Sequence, residues 1–268
     1  MTKPPKASEE KEMSFLEHLE ELRWHIIRSL ISVVLFGTLV FIFKEFVFDK
    51  IILAPKNSSF ATYRFFCGLS EITCFYPPEF TITPRELGEE FLMHIKVSIW
   101  IGIIISFPYI FFEIWKFVKP GLYPNEKSAA RGIVFICTIL FMIGVLFGYY
   151  VISPFAVSFL AGYTVSSEII SSPTLASYVN YMVMFTIPTG IIFQLPVLVY
   201  FLSRIGILTP DFMKKYRRHA IIVILLFAAV ITPPDVITQF LIGIPVFILY
   251  ELSINISRKA VKKYHSEE

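Results

Sequence analysis

The chain has 268 residues, 55% of them apolar and 17% charged, with 24 Lys and Arg against 21 Asp and Glu. A soluble globular domain carries about 25% charged residues, and here segments 29–43, 97–112 and 132–167 hold none at all. That pattern excludes a disordered chain, a basic nucleic-acid-binding protein and an ordinary cytosolic enzyme, and leaves a polytopic helical membrane protein.

The chain opens on a polar arm. Ser14-Phe15-Leu16-Glu17 has capping-box spacing, with the serine as N-cap and Glu17 reaching back. Phe15, Leu19, Leu22 and Ile26 recur at helical spacing, which predicts an amphipathic helix running along the membrane surface into the first span. Its other face carries Glu17, Glu20 and Glu21. The helix dipole favours acid in the first turn. It does not account for Glu21, two turns in.

Six stretches read as spans: 24–45, 90–116, 131–160, 175–203, 219–232 and 236–252. In the last two, the uncharged runs 220–231 and 236–250 are only 12 and 15 residues long. Those runs extend about 18 and 22 Å, against a hydrocarbon core of ~30 Å. They are read as two short spans with local bilayer thinning, in preference to a re-entrant hairpin, turned by Thr232-Pro233-Pro234-Asp235. Pro108, Pro154, Pro188, Pro196 and Pro245 fall inside spans, and each removes a backbone hydrogen bond and bends its helix. The expected fold is all-α and polytopic, with six transmembrane helices in a curved body. It forms one integral membrane domain over 1–268, with an arm at 1–23, spans through 24–252 and a tail at 253–268.

Of the 24 basic residues, 18 fall in the arm, the second and fourth loops and the tail. The other six (Lys44, Lys50, Lys56, Arg64, Arg85 and Lys96) lie in or beside one long loop. The positive-inside rule then makes both termini cytoplasmic. No cleavable secretion signal is evident, because the first apolar run starts near Ile26 and is of full span length. Cys67 and Cys74 share the external loop 46–87, where an oxidising exterior permits a disulfide and two thiols remain equally open. Cys137, inside a span, reads as packing.

Polar residues inside spans are functional suspects, since burying them in lipid is costly. Glu113, near the cytoplasmic end of the second span, is expected to snorkel or to pair with Lys116. Gln194, in the middle of the fourth span, needs partners, and its reading stays open between a structural hydrogen bond and a functional site. His94 and Lys96 are expected to be solvated at the external interface. Gly144 and Gly148 make a GxxxG spacing, read as close packing. The loop from Ile114 to Lys127 is shaped by Pro120, Gly121 and Pro124 and presents Phe117, Leu122 and Glu126. Spacing alone makes Glu126 a solvated loop charge. Were Glu21 and Glu126 to converge, they would suit a ligand with two guanidinium groups, which meet carboxylates in bidentate geometry.

Several segments in order carry a family likeness: His18-Leu19-Glu20-Glu21-Leu22-Arg23, Trp115-Lys116-Phe117, Leu122-Tyr123-Pro124-Asn125-Glu126, Phe193-Gln194-Leu195-Pro196, Gly206-Ile207-Leu208-Thr209-Pro210 and Thr232-Pro233-Pro234-Asp235-Val236. With them the sequence resembles the TatC family, the core and receptor subunit of the twin-arginine protein translocase, over nearly its whole length. The resemblance implies a cupped, concave six-helix body. It implies recognition of folded cargo through a signal peptide with two adjacent arginines, and export across the cytoplasmic membrane driven by the proton-motive force. The implied partners are TatA- and TatB-type single-span proteins, in a multimeric complex within membrane lipid. By the same resemblance Glu21 and Glu126 match the recognition carboxylates, with Leu19, Arg23, Phe117 and Leu122 in the same surface. Pro55 matches a position in the capping first external loop, and Asp235 and Gln239 match the last external turn and the top of the sixth span. Gln194 matches a buried Glu or Gln that contacts a partner helix. Asn125 and Glu113 depart from the family, which often has a basic residue or histidine at the first position and a glutamine at the second.

Other functions fit less well. A secondary transporter of a small solute needs a coupling carboxylate near mid-membrane, and no Asp or Glu lies centrally in any span. There is no HExxH or GxSxG motif and no Gly-rich phosphate loop. The expectation is a non-enzymatic protein with no cofactor, no metal and no nucleic-acid partner.

Overall fold

In a computed structural model, residues 15–118, 130–166, 172–231 and 236–265 are described. Helix α1 (Phe15–Ile42) is followed by a single turn, α2 (Lys44–Phe46), and by a π-helical turn at Val47–Ile52. A short α3 (Ala61–Leu69) lies in the first long loop, and α4 (Glu89–Val118) is the second span. The third span joins α5 (Ala130–Phe147) to α6 (Ser153–Gly162) through a π turn, Gly148–Ile152. The fourth joins α7 (Leu175–Ile192) to α8 (Leu195–Arg204). After α9 (Pro210–Lys215) come α10 (Arg217–Ile231) and α11 (Val236–His265). Five of these helical units are long and apolar enough to cross a membrane, and the 15-residue α10 is the short one among six. Strands are absent among the described residues apart from one bridge, Thr83 to Thr174.

From Phe15 on, the arm does not form a separate surface helix. It is continuous with the first span, because nothing between Phe15 and Ile42 breaks the helical run. Ser14, the expected cap, lies outside the described residues. The two short spans also differ from each other. The uncharged run at 236–250 is the first half of a 30-residue helix that continues through charged sequence to His265.

Close backbone approach fixes the neighbours. Helices α1 and α4 run antiparallel and touch at two glycines, where a Cβ on Gly102 would fall 2.8 Å from the Gly37 nitrogen. The GxxxG pair does the same job for the third and fourth spans: a Cβ on Gly144 would meet the Gly190 Cα at 2.8 Å, and one on Gly148 the Phe185 carbonyl oxygen at 2.3 Å. Ile152, Ala156, Phe185, Ile224, Ala228, Ile242 and Val246 bury together where α10 and α11 close against these spans. Leu30, Ile31, Val34, Leu35, Ile222, Leu226 and Val230 stay exposed, as lipid-facing positions must.

The prolines act through the carbonyls they free. Pro154 cannot donate to Tyr150 four residues back, and that carbonyl instead accepts the Thr62 hydroxyl from α3. The buried Tyr63 hydroxyl donates to the carbonyls of Pro55, at 2.8 Å, and Pro154, at 3.2 Å. Burial pushes the Tyr63 phenol well above its ordinary pKa and so keeps it a donor. At the same end Tyr149 and Tyr178 donate to the carbonyls of Ile51 and Ile52. The buried Glu89 carboxylate accepts backbone N–H groups from Arg85, Glu86 and Ala176, tying the starts of α4 and α7 together. Cys67 and Cys74 are joined by a disulfide. His94 and Lys96 are not merely solvated there. His94 stacks on Phe41 at 3.9 Å, and Lys96 donates to Asn180.

Candidate functional site

His18, Glu21, His25 and Arg28 recur at three- and four-residue steps, so they share the face of α1 that meets the end of α4. There Phe117 stacks on His18, with ring centroids 4.4 Å apart, and meets His25 edge-on at 6.1 Å. A cavity of about 410 Å³ opens between the helices, lined by Glu21, Trp24, His25, Arg28 and Lys116. At its inner side lies Glu113, buried. Its Oε2 is 2.5 Å from His25 Nδ1 and 3.7 Å from Arg28 Nη1.

This corrects the expectation for Glu113. It turns inward onto α1 rather than snorkelling or pairing chiefly along its own helix, because the antiparallel register sets it opposite His25. Glu113 is therefore engaged within the chain, whereas Glu21 is exposed at the cavity wall. A carboxylate in that setting can accept hydrogen bonds from an incoming guanidinium, while Phe117 is stacked on His18 behind that wall. Arg28 and Lys116 bring cations to the same wall, so the cavity is mixed in charge.

Of the other predicted site residues, Leu19 and Arg23 are exposed on α1. Arg23 lies two residues past Glu21, about 200° round the helix, and does not line the cavity. Leu122 and Glu126 fall outside the described residues, as does Asp235. His18, His25 and Arg28 were missed as site residues by sequence reasoning, although their helical step from Glu21 was the signal that could have found them.

A second polar position lies mid-membrane. Pro196 lets the helix break at Phe193 and Gln194. The Gln194 amide donates to the Cys137 carbonyl across the interface at 3.0 Å. Its Oε1 is buried and has no hydrogen-bond partner among the described residues. Pro55 is buried beneath α3, and Gln239 donates to the Leu225 carbonyl at 3.0 Å, joining α11 to α10.

Comparison with known proteins follows the same outline. The family model for the Sec-independent protein translocase protein (TatC) matches residues 17–245. The chain belongs to the TatC family. A TatC from Blattabacterium sp. subsp. Periplaneta americana is 36% identical over 263 residues, covering 96% of this chain and 99% of the relative. A TatCy from Bacillus subtilis is 32% identical, covering 94% and 91%, and a TatC from Aquifex aeolicus 31%, covering 94% and 97%. A crystal structure of a twin-arginine translocase receptor, TatC, superposes with a TM-score of 0.72 at 30% identity, over 91% of this chain and 99% of that one. This TatC-family chain is thus a membrane-embedded subunit of a Sec-independent protein translocase, works in a complex with other subunits of that system, and is not an enzyme. Secondary transport finds no support.

Proposed function

We propose that this chain is the receptor and core subunit of a twin-arginine translocase, acting as one integral unit of the cytoplasmic membrane with both termini in the cytoplasm. Its cavity between α1 and α4 receives one guanidinium of an adjacent arginine pair on Glu21, with Phe117 beside it. Glu126, Leu122, Leu19 and Arg23 complete the surface, as the family resemblance assigns them. Folded cargo carrying such a signal is exported using the proton-motive force, with TatA- and TatB-type single-span proteins as partners. Gln194 supplies a polar contact to a partner helix, while Pro55, Asp235 and Gln239 hold the opposite end in shape.

The observation that carries this reading is the division of labour between two carboxylates. Glu113 is buried and satisfied by His25, while Glu21 is exposed on the wall of the same cavity. The test is photo-crosslinking of a signal peptide to the chain in membranes. Glu21→Ala and Glu126→Ala are each expected to weaken an Arg-Arg peptide by ~1–3 kcal/mol, the range of a charge-assisted hydrogen bond, and to change a Lys-Lys version little. Unchanged crosslinking in the double variant would sink the recognition role.

A further inference from the structure

The disulfide-closed segment at the opposite end of the molecule has a surface that signal recognition leaves unused. Helix α3 turns one face inward: Thr62 and Tyr63 are buried, and Phe66 packs on Phe155 of α6 with ring centroids 5.3 Å apart. Its other face is apolar as well. Phe65, Leu69 and Ile72 are 65%, 63% and 95% exposed. Phe65 and Leu69, at i and i+4, form a stripe on one face of the helix, and Ile72 is exposed on the turn that follows its end at Leu69.

Ile72 is held in place on its turn. The disulfide between Cys67 and Cys74 closes that turn. Thr73 Oγ1 donates to the carbonyls of Phe66 at 2.8 Å and Ser70 at 3.1 Å, and the Ile72 N–H donates to Ser70 Oγ at 3.2 Å. A turn fastened this firmly, yet displaying a bare isoleucine next to a helix that exposes a phenylalanine and a leucine, presents an apolar surface for something beyond the chain to cover.

Depth along the third span says what covers it. Thr62 donates to the Tyr150 carbonyl, and Tyr150 lies eighteen residues beyond Gly132, where the third span begins. At about 1.5 Å per residue that is about 27 Å, the thickness of the hydrocarbon core. Phe60, Tyr149 and Tyr150 cluster at this level, as aromatic side chains do where a span leaves the hydrocarbon. Phe155 lies about 8 Å further along the axis, at headgroup level. Arg64 and Glu71 flank the stripe with exposed charge, and interfacial helices pair an apolar face with a charged border in this way.

We propose that α3 and its disulfide-closed turn form an interfacial membrane anchor, with Phe65, Leu69 and Ile72 lying in the headgroup–acyl boundary of the leaflet opposite the start of α1. The occupant is phospholipid. The stripe lies just beyond the aromatic girdle, at the level where Phe66 meets Phe155.

Tryptophan placed on this apolar surface reports its surroundings. The whole chain carrying Ile72→Trp, and separately Leu69→Trp, is reconstituted in lipid nanodiscs, and the emission added over the parent is followed. Lipid brominated near the carbonyl end of its acyl chains is expected to cut the added emission about twofold or more in both variants, while aqueous acrylamide changes it little, as for a side chain seated in the boundary. Reducing the disulfide is expected to move Ile72→Trp toward acrylamide sensitivity and leave Leu69→Trp closer to its starting value. Strong acrylamide quenching without bromine quenching would overturn the proposal in favour of a solvated tip. Protection from both quenchers would overturn it in favour of a protein cover, a second copy or a partner subunit.

Discussion

The buried carboxylate of Glu113 has a partner on another helix, and that decides what its loss should cost. Glu113→Ala leaves His25 without its carboxylate partner and is expected to lower stability by ~1–3 kcal/mol. Adding His25→Ala to that variant should cost little more, because both changes remove the same contact. Thermal unfolding in detergent reads both values. Gln194→Leu is a different case. It removes an amide that donates one bond to Cys137 and holds an unpartnered oxygen. Interhelical hydrogen bonds in membranes average only about 0.6 kcal/mol, so the fold should survive while co-purification of single-span partners falls. Unaltered co-purification would remove Gln194 from the partner interface. At this scale Glu21 was legible in the sequence, since an acid two turns into a membrane-bound helix needs a reason. The partner of Glu113 was not. His25 is 88 residues away, and spacing rules see only neighbours on one helix, which is why Lys116 stood in for it.

Helices meet helices here through glycine and through freed carbonyls. Gly148→Ala would drive a methyl into the Phe185 backbone oxygen, where no side chain can swing aside. A loss of ~1–3 kcal/mol, the usual cost of overpacking, is expected. Gly132→Ala meets nothing within 4 Å and should be neutral or slightly stabilising in the same unfolding assay. The GxxxG spacing was visible in the sequence, though not which span it would face. The prolines were equally visible as bends. What could not be read was the donor that repairs each bend: Thr62 reaches Tyr150 from a separate short helix, a pairing fixed only once the loop folds back over the third span. The break at Phe193 and Gln194 is of the same kind, since Pro196 announces it but does not say which neighbour the exposed amide will choose.

Over the whole molecule, hydropathy foretold six crossings, and five helical units among the described residues are long and apolar enough to make one, with α10 the short sixth helix. Helix α10 has 15 residues and spans about 22 Å, while α11 is 30 residues long and runs on to His265, past the end of its apolar run at residue 250, because charged residues keep helical geometry as readily as apolar ones. A bilayer must thin around α10 or the helix must be shielded by its neighbours. The chain is therefore expected to unfold at a higher temperature in nanodiscs of shorter-chain lipid than in those of longer-chain lipid; the opposite order would show that α10 is shielded. The contact between Gly37 and Gly102 has a consequence at this scale too. It is a backbone rivet about 24 Å from Glu21 along α1, and it fixes how far each helix has travelled by the time both reach the end proposed to bind the signal. The two helices act as the arms of a caliper set at the rivet. A methyl added at Gly102 would reset the gap between Glu21 and Phe117 without touching either, so peptide recognition can be lost from a position buried deep in the membrane.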